Sequence, residues 1–237
     1  MTTQPRLVEV RARILKENDV LARELRERFR TAGVCVISFV SSPGSGKTTF
    51  LENLMVRLRG NYRLAALVGD LATDNDAERL ARACPQVRQI TTGTVCHLDA
   101  KMVAAALEGW KLDELDFLFI ENVGNLVCPS SYDLGEQARV VLLSATEGED
   151  KPLKYPTIFN TSDVALITKM DMAEAAEFDL AAAMANIHRV RPGMGILAVS
   201  AKKGMGMDES VAWCERQAKL RTAGGEAASG TAVGEER

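Results

Sequence analysis

No apolar run in the 237 residues approaches the roughly 18–20 that a bilayer-crossing helix needs. The opening stretch MTTQPRLVEVRARILKEND scatters charge throughout and lacks the apolar core of a secretory signal. These two absences lead us to expect a cytoplasmic chain without a membrane partner. Basic residues do not predominate either: 29 Lys and Arg stand against 32 Asp and Glu, for a net charge of −3. The basic field that nucleic-acid binders display is missing, so no nucleic-acid partner is expected. Histidine is scarce, at two residues. The cysteines, at 35, 84, 96, 128 and 214, are odd in number and scattered. They do not form a disulfide framework, and each is a candidate buried, metal-binding or reactive thiol. No internal repeat interrupts the chain, whose length suits one sizeable α/β domain.

What is present is alternation. Val10, Ile14, Leu21, Leu25 and Phe29 recur mostly four apart among charged residues, which predicts an amphipathic helix from Leu7 to Phe29, closed by Gly33. VCVISFV (34–40) is a β-branched run of the kind shown by a strand buried on both faces. Strands are expected at 63–68, 87–90, 116–121, 140–144, 164–168 and 196–200. Helices are expected at 74–83, 98–107, near 174–187 and at 208–220. This pattern predicts an α/β fold with a mostly parallel sheet flanked by helices. Three parts are expected: an N-terminal helical extension (1–33), a P-loop-type domain (34–221) and a small, Gly-rich, disordered tail (222–237). Ligands of such sheets bind beyond the carboxyl ends of the strands, where every unusual polar motif of this chain falls.

SSPGSGKTT (41–49) follows the first strand and precedes a helix. It meets the phosphate-loop pattern at Gly46-Lys47-Thr48, although Ser41 stands where the pattern opens with glycine. Gly44 and Gly46 let the backbone curl around Ser45 so that amides there and at Thr49 face a phosphate. Lys47 would reach the β- and γ-phosphates, and Thr48 would place its hydroxyl on Mg²⁺. Asp70 and Glu121 each end an apolar strand and are expected to contact Mg²⁺ or the attacking water, with Asp76 a weaker third candidate. No arginine or glutamine finger is evident, so intrinsic hydrolysis is expected to be slow.

The base is read from two further strand ends. Thr168-Lys169-Met170-Asp171 and Ser200-Ala201-Lys202 resemble the guanine-specificity motifs of P-loop GTPases, in the right order. A carboxylate at Asp171 can accept from the paired donors on the guanine edge, and amides near Ala201 can face O6. A mismatched base would leave buried polar groups unpaired. GTP and GDP are therefore expected over adenine nucleotides. Thr168 replaces the commoner asparagine, which predicts a missing brace on the phosphate loop.

Taken together, SSPGSGKTT, GDLATDNDAERL, TTGTVCHLDA, IENVGNLVCP, GEDKPLKYP and TKMD resemble the HypB-type nickel-incorporation GTPases, over about residues 10–220. The resemblance implies GTP hydrolysis, a homodimer and nickel delivery to a hydrogenase large-subunit precursor. It also implies a metal site at the dimer interface, at Cys96, His97 and Cys128. Two thiolates and an imidazole suit Ni²⁺ or Zn²⁺, with geometry deciding between them. Cys35, Cys84, Cys214 and His188 are left as ordinary structural residues. Many such proteins add an N-terminal Cys-x-x-Cys-Gly-Cys motif or a histidine-rich tract, whereas residues 1–34 here hold neither Cys nor His. Delivery is then expected to need a HypA-like metallochaperone. Lys151 or Lys154, in a loop bounded by prolines, is expected to reach the partner's phosphates. A urease-type accessory GTPase would carry Cys-Pro-His where this chain has Cys96-His97; a metal-binding scaffold with a weak nucleotide site is the other alternative.

Overall fold

The computed structural model describes the backbone of residues 4–71 and 75–229 and the side chains of residues 12–71 and 75–220. In chain order the elements are α1 (Gln4–Ala32), β1 (Cys35–Ser41), α2 (Lys47–Leu58), β2 (Leu64–Asp70), α3 (Asn75–Ala81), β3 (Gln86–Thr91), α4 (Ala100–Ala106), β4 (Phe117–Glu121), β5 (Ala138–Ser144), α5 (Lys151–Lys154), α6 (Pro156–Asn160), β6 (Val164–Thr168), α7 (Leu180–Val190), β7 (Gly195–Ala198) and α8 (Met207–Ser229). The strands form one sheet in the order β3-β2-β4-β1-β5-β6-β7, with every adjacent pair parallel. The sheet is thus more uniform than the mostly parallel one expected.

Burial explains the composition of the strands. All seven residues of β1 and of β5 are buried, as a central parallel strand covered on both faces demands. Side chains alternate between the faces. Ile37, Phe39, Phe119 and Leu142 pack with Phe50, Leu54 and Leu58 of α2 and with Cys214 of α8. On the other face Val36, Leu67, Leu118 and Ile120 meet α1 and α4, and Val141, Leu143 and Ile167 meet α6 and α7. Cys35, Cys84 and Cys214 are buried. Burial raises the thiol pKa of both Cys84 and Cys214, so neither offers a thiolate.

The order reverses about β1: the chain leaves it for β2 on one side, and β4 leads across to β5 on the other. Phe39 of β1 is in register with Glu121 of β4, so the phosphate loop after β1 and the acidic end of β4 lie side by side at that switch point.

Several boundaries differ from the sequence reading. The helix expected near 174–187 begins only at Leu180, because Glu177 takes a left-handed φ of 51° and Asp179 caps the new start by accepting from the Ala182 amide at 2.9 Å. The segment read as a loop around Lys151 and Lys154 folds into the two short helices α5 and α6, with prolines in their first turns. The last strand ends at Ala198 instead of 200. The α8 backbone continues through Ser229, past the expected boundary at 221, and the remaining tail lies outside the described residues. On α1, Leu25 and Phe29 are buried as expected and Leu21 is partly buried, but Ile14 is 48% exposed. The side chain of Val10 lies outside the described residues.

Candidate nucleotide and metal site

Gly46 caps α2 in the left-handed conformation, with φ 90° and ψ 21°, which a side chain would resist. The loop so formed lines a cavity of about 470 Å³ with Gly44, Ser45, Gly46, Lys47, Thr48 and Thr49, joined by Asp70, Asp76 and Glu121. Lys47, Thr48 and Glu121 are all buried. The Thr48 hydroxyl donates to Glu121 Oε1 at 2.7 Å, and Lys47 Nζ lies 3.7 Å from the same oxygen. Burial raises the Glu121 pKa, partly offset by Lys47 and Thr48. Its second oxygen, Oε2, is buried without a partner among the described residues. A buried carboxylate oxygen with nothing to accept from, beside a hydroxyl, is a donor set that fits a hard cation such as Mg²⁺.

A second cavity of about 170 Å³ opens beside the first, lined by Phe50, Thr168, Lys169, Asp171, Ala201 and Lys202 among others. The Ser200 hydroxyl donates to Asp171 Oδ1, and this bond holds the Asp171 carboxyl below the usual carboxylate range. Thr168 overturns one expectation. Its hydroxyl donates to the Ser45 carbonyl at 2.6 Å, so the brace expected to be missing is supplied by a shorter side chain. Lys169 Nζ adds a bond to the Gly44 carbonyl at 2.7 Å.

The three soft donors also come together. One ligand atom each from Cys96, His97 and Cys128 lies within 4.8 Å of the other two. The two Sγ atoms are 2.8 Å apart. His97 Nδ1 is buried without a hydrogen-bond partner among the described residues, and burial lowers the imidazole pKa, favouring the neutral form that binds metals. The ring stacks on Tyr132 with centroids 3.9 Å apart. Two thiols and an unpartnered imidazole nitrogen fit a borderline-soft ion such as nickel or zinc.

The family model described as the CobW/HypB/UreG nucleotide-binding domain matches residues 35–198. The chain belongs to the CobW/HypB/UreG family. Within the family it is 48% identical to the hydrogenase maturation factor HypB of Azotobacter chroococcum mcd 1, over 92% of this chain and 72% of that one. It is 43% identical to the hydrogenase/urease maturation factor HypB of Helicobacter pylori strain 26695, over 85% and 84%. A crystal structure of HypB from Helicobacter pylori in complex with nickel superposes with a TM-score of 0.81 at 41% identity, covering 86% of this chain and 96% of that one. The expected resemblance therefore holds over most of the chain.

Some residues of this family member escaped the sequence reading. Arg79 on α3 lines the phosphate cavity, where it bonds Thr49 Oγ1 at 2.9 Å and Glu52 at 3.1 Å. Its place one helical turn after Asp76 was the available signal. Asn122 has its side chain buried between the two sites, with Oδ1 accepting from the amides of Leu98 at 3.0 Å and Val123 at 2.9 Å. Asn125 Nδ2 donates to the Cys96 carbonyl at 3.3 Å. Lys151 lies in a cleft with Pro43, Val127 and Glu147, 3.9 Å from the Glu147 carboxylate. Lys154 is exposed and paired with Asp150 at 2.6 Å. His188 Nε2 contacts the Met194 carbonyl at 3.1 Å and takes no part in either site.

Proposed function

We propose that this protein is a GTP-hydrolysing metallochaperone that carries nickel toward a hydrogenase large-subunit precursor and acts as a homodimer in the cytoplasm. The amides around Gly44–Thr48 and the Lys47 ammonium bind the β- and γ-phosphates, while Asp171 and Ala201 read the guanine edge. Water attacks the γ-phosphorus as its bond to the β–γ bridging oxygen breaks, giving GDP and inorganic phosphate. Asp70 and Glu121 orient the water. Thr48, Asp70 and Glu121 would hold Mg²⁺, which neutralises charge developing on the phosphate oxygens. Arg79 faces the same cavity and is held there by Glu52 and Thr49. Cys96, His97 and Cys128 bind the cargo, nickel or zinc. Supply of the metal by a HypA-like partner is inferred from the family resemblance.

One observation carries this reading. Asn122 lines the phosphate cavity, and the residue whose amide it holds, Leu98, directly follows the Cys96-His97 pair. Asn122 thus offers a buried route by which a shift at the γ-phosphate would reach the metal ligands. The test is metal titration of the wild type and of Cys96→Ala, each with GDP and with a non-hydrolysable GTP analogue, following affinity and dimer mass. Metal affinity should depend on the nucleotide in the wild type and fall in the variant. Equal affinity in all four states would overturn the switch, and absence of GTP turnover would return the chain to the scaffold reading.

A further inference from the structure

The apolar stripe of α1 contains a polar residue at its centre. Asn18 sits one turn before Ala22 on the face that continues through Leu25 and Phe29, and it is only 5% exposed. Burying an amide among apolar neighbours is unfavourable unless both its ends are hydrogen-bonded. Both are. Oδ1 accepts from the Ala100 amide at 2.9 Å, and Nδ2 donates to the Asp133 carbonyl at 2.9 Å.

The two partners belong to the two halves of the metal site. Ala100 opens α4 directly after the Cys96-His97-Leu98-Asp99 turn, and Asp133 follows Tyr132 in the segment that begins at Cys128. Tyr132 is the ring on which His97 stacks. Asn18 thus joins the backbone just beyond His97 to the backbone just beyond the His97 platform. The rest of α1 reinforces the second arm. Arg26 grips the Asp133 carboxylate at 2.7 and 2.8 Å. Gly135, with φ +79°, lets the segment lie so close that an added methyl would sit 2.7 Å from the Ala22 carbonyl oxygen.

We infer that Asn18 is a positioning residue of the metal site, fixing the span between the Cys96-His97 loop and the Cys128 loop from the N-terminal helix. The inference rests on reading Cys96, His97 and Cys128 as a metal site, and it adds a residue far from them in sequence. Partners hydrogen-bonded directly to a ligand are worth roughly 10- to 100-fold in metal affinity; Asn18 acts on the backbone one step further out, so the lower end, about tenfold, is expected.

The experiment titrates the full chain with Ni²⁺, following thiolate-to-nickel charge-transfer absorption and chelator competition, and measures GDP affinity separately on the metal-free chain, where the coupling between the two sites does not enter. Asn18→Ala should weaken nickel binding by about tenfold and alter the charge-transfer band, leaving GDP affinity of the metal-free chain unchanged. Asn18→Asp keeps an acceptor for Ala100 but opposes the Asp133 carbonyl, so it should lose part of the affinity; it serves also if the alanine variant does not fold. Wild-type nickel affinity and spectrum in the folded variants would overturn the inference. So would a parallel loss of GDP and nickel affinity, which marks general loosening. A wild type that binds no nickel would remove the metal reading itself, whereas equal binding by all three proteins would remove only the role of Asn18.

Discussion

Replacing Thr168 by valine isolates the brace between the base-reading strand and the phosphate loop. Thr168 is 3% exposed, and its hydroxyl reaches the Ser45 carbonyl at 2.6 Å, while the next acceptor, the Leu143 carbonyl, is 3.5 Å away. Valine preserves the branched shape and removes the donor. The change deletes one hydrogen bond and leaves a carbonyl short of a partner in a buried setting, together about 1–2 kcal/mol. For a chain of this size that lowers the melting temperature by roughly 2–8 °C. Part of the same energy enters nucleotide binding, because the loop must be re-ordered before its amides can face the phosphates. GDP affinity is therefore expected to fall by at most roughly 5- to 30-fold. Thermal denaturation without nucleotide and calorimetric GDP titration measure the two parts separately. Thr168→Ser retains the hydroxyl and should stay near wild type in affinity. A valine variant with unchanged melting temperature and unchanged GDP affinity would refute the brace.

Three further outcomes follow from the same geometry. Asp171→Asn should shift preference from guanosine to xanthosine nucleotides, and unchanged GTP affinity in that variant would sink the guanine assignment. Ser200→Ala removes the bond that holds the Asp171 carboxyl low. A lowered pKa keeps the charged form until pH falls through the folded value, so on acidification the variant should lose guanine-nucleotide affinity at a higher pH than wild type; coincident profiles would contradict this. Lys151→Ala should abolish GTP-dependent dimerisation while monomeric nucleotide binding persists, as read by mass in solution. Wild-type behaviour in both Lys151→Ala and Lys154→Ala would remove the cross-subunit lysine.

The sheet was legible because a parallel strand buried on both faces has little choice but Val, Ile and Leu, as in VCVISFV and VALIT. The phosphate and base motifs were legible because their residues lie close together along the chain at strand ends. What escaped was long-range. Asn18 reads as one more polar residue in a charged helix until Ala100 and Asp133 are seen against it. Thr168 reads as a weakened motif until the Ser45 carbonyl is found within its shorter reach. Arg79 has only its place one helical turn after Asp76 to mark it, and that spacing does not by itself tell an arginine that turns into a cavity from one that faces solvent.

Asn122 sets the scale of the coupling between the two sites. Its Oδ1 accepts from two buried amides, so turning the side chain toward the phosphate cavity strands Leu98 N–H and Val123 N–H unless the Cys96-His97 loop moves with it. Each stranded buried amide costs about 1–3 kcal/mol, and only that of Leu98 belongs to the Cys96-His97 loop, so one such cost sets the coupling to the metal ligands. That energy, if spent in one nucleotide state and not the other, corresponds to roughly a 5- to 150-fold difference in metal affinity. Thermodynamic reciprocity requires the metal to change nucleotide affinity by the same factor. Asn122→Ala removes the acceptor and frees the loop from the cavity, so the ratio of metal affinities with GDP and with a GTP analogue should fall toward one while each ligand still binds. A ratio preserved in that variant would show that the nucleotide reaches the cysteines by another route, with the Glu121–Cys128 segment the next to test.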